Sequence, residues 1–197
     1  MRVALRSTQL VLFACGAALL GYCGFVSADT WLFQQRESHS LQQQIAGEAS
    51  SPAVASNGLI GRLEIPRLGL SVMLMEGDDT KTLRRAVGHI PGTSLPGQAG
   101  NVALSGHRDT FFRPLRTIRE NDVIVVTTLR GAYRYRVVST RIVAPDNVAV
   151  LDPGQGEILT LVTCYPFYFV GAAPDRFIVR AERIHSSAPS GPGGLNL

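Results

Sequence analysis

From Ser7 to Ala28 the chain runs for 22 residues without a charged side chain, bracketed by Arg6 and Asp29. A helix that crosses a bilayer needs about 20 apolar residues, so the length matches a membrane span. Arg2 and Arg6 precede the run, and the positive-inside bias then puts the N-terminus inside and the body of the chain outside. Trp31 and Phe33 come just after it, at the place of an interfacial aromatic pair. A cleaved signal peptide is the rival reading, because Val26-Ser27-Ala28 would serve as a cleavage site. The run is longer than the roughly 7–15 residues of an ordinary signal core. On either reading residues 1–33 export the remainder of the chain, and the retained form is a single-pass anchor with its folded part on the extracytoplasmic side.

The rest divides by composition. Residues 34–57 are polar, with Gly, Ser, Ala and Pro toward the end, and read as a linker: a helical extension fading into a flexible tether. Residues 186–197, SSAPSGPGGLNL, read as a disordered tail. The folded domain is then 58–185. Charged residues make up 17% of the chain and hydrophobic ones 45%, which is globular composition. Of 19 basic residues 18 are Arg, and they form no tract, which argues against a nucleic-acid partner.

Within 58–185 the pattern is mostly β. Arg62–Ile65, Leu68–Met75, Asn101–Ser105, Val123–Leu129, Tyr133–Val143, Ile158–Cys164 and Arg176–Ile184 read as strands, and Val123–Leu129 and Tyr133–Val143 are rich in β-branched and aromatic residues. Arg130-Gly131-Ala132 joins two of them as a hairpin. Asp79 is placed to cap a short helix, Thr80 to Ala86, and Pro145 to Leu151 reads as a helical turn. Seven or eight short strands with few helices imply a closed or nearly closed β-barrel.

Cys164 is the lone cysteine of this domain; Cys15 and Cys23 lie in the apolar segment. An unpaired thiol in an oxidising space is either reactive or incidental. His107 ends the Asn101–Ser105 strand after Gly106, and Arg176 begins a strand after the loop Tyr165 to Asp175. A cysteine enzyme needs a sulfur nucleophile, a proton carrier and a stabiliser of developing negative charge. Cys164, His107 and Arg176 supply those types if their strands are neighbours. Singly, each has a plainer reading: a buried thiol, a turn histidine, an arginine covering a strand with its stem.

The local sequences around the three narrow the choice. Ala103-Leu104-Ser105-Gly106-His107-Arg108-Asp109, Thr160-Leu161-Val162-Thr163-Cys164-Tyr165-Pro166 and Pro174-Asp175-Arg176-Phe177-Ile178 resemble the blocks of a sortase, most of all the class D sortases. The resemblance covers roughly residues 58–183. It implies a closed eight-stranded sortase-type β-barrel with short helices behind an N-terminal transmembrane helix. It also implies a cysteine transpeptidase; no cofactor and no metal is expected. Cys164 would attack an LPxTG-like C-terminal sorting signal and hold it as a thioester. An amine of the cell envelope, a peptidoglycan precursor or similar, would release it. His107 would move the protons and Arg176 would bind the substrate backbone or the oxyanion. Two alternatives remain open: a sortase-fold protease, and a barrel that binds envelope peptides without turnover.

Lesser candidates surround these. Thr163 is a candidate for lining the substrate groove, and Val148, Val150 and Leu151 for its apolar floor. Asp109 is a candidate for orienting His107. His89 is expected to shape a loop. Glu76, Asp78 and Asp79 lack the pattern of a calcium loop.

Overall fold

The computed structural model describes residues 2–47, 53–168 and 171–185. The expected tail at 186–197 lies outside the described residues. A helix, α1 (Arg2–Gly47), leads into eight strands: β1 (Leu59–Ile65), β2 (Leu70–Glu76), β3 (Val87–His89), β4 (Gly100–Ser105), β5 (Val123–Thr128), β6 (Gly131–Val143), β7 (Glu157–Tyr165) and β8 (Asp175–Arg183). They close into a barrel in the order β1-β2-β3-β4-β7-β8-β6-β5. Pairing is antiparallel except at β2–β3 and β4–β7. The parallel β4–β7 pair matters most for the chemistry. It needs a long crossover, and the β5–β6 hairpin lies within it.

Period-two alternation fills the barrel. Leu63 and Ile65 of β1, Val102 and Leu104 of β4, Leu159 and Leu161 of β7, and Val179 and Ala181 of β8 point into one core with Phe112, Leu115 and Tyr135. Burying each of the large side chains contributes about 1.5–3 kcal/mol. The short helix α2 (Thr80–Arg85) begins where the sequence places it: the Asp79 carboxylate accepts from the Lys81 and Thr82 amides. The residues Val148–Leu151 form one 3-10 turn.

α1 is apolar on every side over its first half. Leu10, Phe13, Leu20, Tyr22 and Phe25 are each more than two-thirds exposed, a surface suited to lipid. It is the one helix among the described residues long and apolar enough to cross a membrane.

Its second half is the expected helical extension, but it packs on the barrel instead of standing free. The segment is helical to Gly47 and docked on the barrel. Leu41 is buried with Leu59, Met73, Ala86 and Leu129, and Phe33 packs against the same cluster. Gln34 donates to the Arg85 carbonyl at 2.6 Å and accepts from the Met73 amide at 2.9 Å. That amide lies on the stretch of β2 that β3 is too short to pair, so the Gln34 side chain stands in for a missing strand. Polar composition concealed a docking face made of a few well-spaced residues.

A second tie joins the β1–β2 connection to the entry of β5. Asp122, buried at the entry to β5, accepts two hydrogen bonds from Arg67 and one from the Arg119 amide. The hydrogen bond from Arg67 holds the Asp122 carboxyl below its usual range, with the Arg119 amide adding to it against the cost of burial. A depressed folded value stabilises the fold above the unfolded value, near 3.9, and the contribution is lost as pH falls through that range. The melting temperature should therefore drop as pH falls below about 4, and Asp122→Asn should flatten that drop. Calorimetry of both proteins across the range measures it.

Candidate active site

The site is built by register. Ser105 of β4 pairs with Val162 of β7, and the Gly106 amide donates to the Val162 carbonyl at 3.2 Å. Two residues further along each chain stand His107 and Cys164. On the other side of β7, Cys164 pairs directly with Arg176 of β8. Imidazole, thiol and guanidinium thus come from three adjacent strands at one level of the barrel. Directly opposite side chains start about 4.5–5.5 Å apart at Cβ, within reach of a shared ligand. His107, Cys164 and Arg176 line one cleft of about 360 Å3, together with Arg108, Asp109 and the loop residues Gly171, Ala172 and Ala173.

Each group is held from behind. The His107 carbonyl accepts from the Thr110 and Phe112 amides, and Phe112 is fully buried in the barrel core. Gly106 is required there, because a Cβ at that position would lie 2.8 Å from the Phe112 ring. Gly106→Ala should push the ring or the His107 turn aside, with a roughly tenfold or greater loss of activity and about 1–3 kcal/mol of stability. Kinetics and a melt of the variant read both effects. Behind Cys164, Tyr165, Phe167 and Phe177 pack as an aromatic cluster with centroids 5.3–6.3 Å apart. Arg176 Nη1 donates to the Asp175 and Ala173 carbonyls at 3.0 and 3.3 Å. Its Nε and Nη2 carry no partner among the described residues and remain available to a ligand.

Arg108 is the residue that sequence reasoning missed. It is 6% exposed and donates to the Pro166 carbonyl and the Gly171 carbonyl, both at 3.0 Å. It thereby ties the His107 turn to the loop that follows Cys164. The available signal was an arginine between a histidine and an aspartate in a short turn, which looks like an ordinary solvated charge. Asp109 lies against Arg108 at 3.6 Å, with its side chain 70% exposed, and not in the role of orienting His107.

Thr163 needs correcting as a groove residue. Alternation turns it to the face opposite Cys164. It is 2% exposed, pairs with the core-packed Phe177, and donates to the Gly106 carbonyl at 2.7 Å. Its hydroxyl fastens the ends of β4 and β7 from inside. Val148, Val150 and Leu151 are not among the residues lining the Cys164 cleft. They sit further down the outer face, where Asn101 Nδ2 donates to the Val150 and Asp152 carbonyls at 3.0 and 3.2 Å. Asn101 is held in turn by the Thr160 hydroxyl at 2.7 Å. Four residue steps along β7 lead from Thr160 to Cys164, about 13 Å at the usual strand rise. Val148 is 68% exposed.

The acidic and histidine side chains elsewhere have structural duties. His89 is buried, with Nδ1 at 2.9 Å from Glu76 and Nε2 at 3.0 Å from the Ser94 carbonyl, and so shapes the loop after β3. Asp79 caps α2. Among the described residues no group of three or more His, Cys, Asp or Glu side chains could hold a metal ion.

Comparison with known proteins accords with this fold. Residues 63–184 match the family model described as the sortase domain. Sortase D of Bacillus subtilis is 32% identical over 191 residues, covering 89% of this chain and 96% of its own. Among solved structures, a Clostridium perfringens sortase D5 transpeptidase superposes with a TM-score of 0.67 at 22% identity, covering 78% of this chain and 99% of that one. Sortase C1 of Streptococcus agalactiae gives 0.63 at 29% identity, over 74% of this chain and 77% of its own. The chain belongs to the sortase family, whose members are cysteine transpeptidases.

Proposed function

We propose that this protein cleaves an LPxTG-like C-terminal sorting signal and joins the shortened protein to an amine of the cell envelope. The observation that carries the reading is the shared level of His107, Cys164 and Arg176 across β4, β7 and β8. The Cys164 thiol passes its proton to His107 as the sulfur attacks the carbonyl after the Thr of the signal, forming a C–S bond. The C–N bond breaks as His107 gives a proton to the leaving amine. The acceptor amine then attacks the thioester. A new C–N bond forms, the C–S bond breaks, and His107 carries the amine's proton to the departing sulfur.

An arginine keeps its proton under ordinary conditions, so Arg176 acts as a fixed charge. Its Nε and Nη2 are the donors offered to the developing oxyanion or the substrate backbone. With the signal's Thr at Cys164, an extended peptide places its Leu three residues, about 10 Å, away. That distance brings a leucine side chain toward the turn of Val148, Val150 and Leu151. The apolar half of α1 anchors the enzyme, and Arg2 and Arg6 orient it with the barrel on the extracytoplasmic side.

Incubation of the full chain in detergent with an LPxTG-like peptide and rising concentrations of a diamine tests the reading. The product should shift from the free acid to the amide as the amine rises. Accumulation of acid alone at high amine would make the enzyme a protease instead.

A further inference from the structure

A cavity of about 420 Å3 lies away from Cys164, between α1 and α2. One wall is Tyr22, Phe25 and Val26 of α1, and the other is Lys81, Arg84 and Arg85 of α2. The apolar wall belongs to the uncharged run that ends at Ala28. That run is about 33 Å long at 1.5 Å per residue, close to the roughly 30 Å of a hydrocarbon core. The edge of the hydrocarbon therefore falls near Asp29, the first charge after Arg6. Arg85 pairs with Asp29 at 3.0 Å, which fixes α2 at that depth.

The charges in the cavity are unbalanced. Asp29 is taken by Arg85, and the Asp79 carboxylate is spent on the amides and hydroxyl at the start of α2. Asp78, the other carboxylate of this segment, is exposed just before that cap. Lys81 and Arg84 are exposed and have no acidic partner among the described residues. Two unpaired cations thus stand beside an aromatic wall at the depth of lipid headgroups. Phosphate accepts from both, and an acyl chain fits against rings that continue into the bilayer.

We propose that this cavity binds an anionic phospholipid, with its phosphate between Lys81 and Arg84 and its chain along Tyr22 and Phe25. The site rests on the membrane-anchor reading of α1. It would clamp the barrel to the leaflet surface at one face.

Lys81 is the only lysine in the chain, so its ε-amine can be followed alone. The full chain is placed in nanodiscs of phosphatidylcholine, with or without a third of phosphatidylglycerol. Acetylation of Lys81 by an amine-reactive ester is then timed by peptide mass spectrometry. Phosphatidylglycerol should slow the reaction at least about threefold. Arg84→Gln should remove most of that protection. Because Arg84→Gln leaves the charge of the bilayer unchanged, it separates the site from the general surface potential. Inorganic phosphate at 10 mM over phosphatidylcholine alone should not protect; equal protection would show a free-phosphate site and overturn the lipid assignment. Equal rates in both discs, or unchanged protection in Arg84→Gln, would also overturn it. A chain that fails to enter the disc would overturn the anchor and the site together. A chain that enters and reacts equally in both discs would overturn the site alone.

Discussion

Cys164→Ala is expected to leave a folded barrel that forms no acyl-enzyme and cleaves sorting peptide at least a thousandfold more slowly, roughly 4 kcal/mol in the barrier. The thiol stands at the end of β7, half-buried in a cleft, and the aromatic cluster behind it holds the strand end without the sulfur. Loss of activity should therefore come with little loss of stability. Mass spectrometry of the intact protein after exposure to peptide is the direct measurement. Wild type gains the acyl mass, and the variant does not. An unchanged rate in Cys164→Ala would remove the nucleophile assignment and with it the whole reaction scheme.

Arg176→Lys should cost nearly as much, about 10²- to 10³-fold in kcat/KM, the range seen when one oxyanion donor is removed. The guanidinium has two tasks at once. Nη1 holds the Ala173 and Asp175 carbonyls at 3.3 and 3.0 Å, and the side chain lines the cleft. An ammonium keeps the charge but has no planar fork, so it cannot brace the loop and reach a ligand together. Steady-state kinetics of Arg176→Lys beside Arg176→Ala separates the parts. If the lysine variant keeps a near-normal rate, Arg176 only covers the strand.

Much of the barrel could be read from local pattern, because β5 and β6 are rich in β-branched and aromatic residues and several strand ends are marked. Gly131 at the hairpin and Asp79 at the start of α2 are instances where one residue's chemistry decides the local path. The order of strands could not be read this way. β4 and β7 are more than fifty residues apart, and nothing near Asn101 or Ile158 states that they lie side by side. The convergence of His107 with Cys164 was therefore an expectation carried by resemblance rather than by spacing.

The misplacement of Thr163 was avoidable in principle. Counting by twos from Cys164 reaches Val162 and Thr160 on its own face, and leaves Thr163 on the other. Arg108 was less accessible, since burial of an arginine depends on carbonyls at Pro166 and Gly171 that only the folded loop brings near. The docked half of α1 was obscured by its own composition. Most of its residues are polar, and the contact rests on Phe33, Gln34 and Leu41.

That last contact decides where the chain can be cut to make a water-soluble enzyme. A truncation starting at β1 would bare the Leu59–Met73 patch and strip the Met73 amide of its acceptor. An open β-edge beside an oily surface invites sheet-to-sheet aggregation between molecules. Starting upstream of Phe33 leaves out most of the lipid-facing turns and keeps that edge covered.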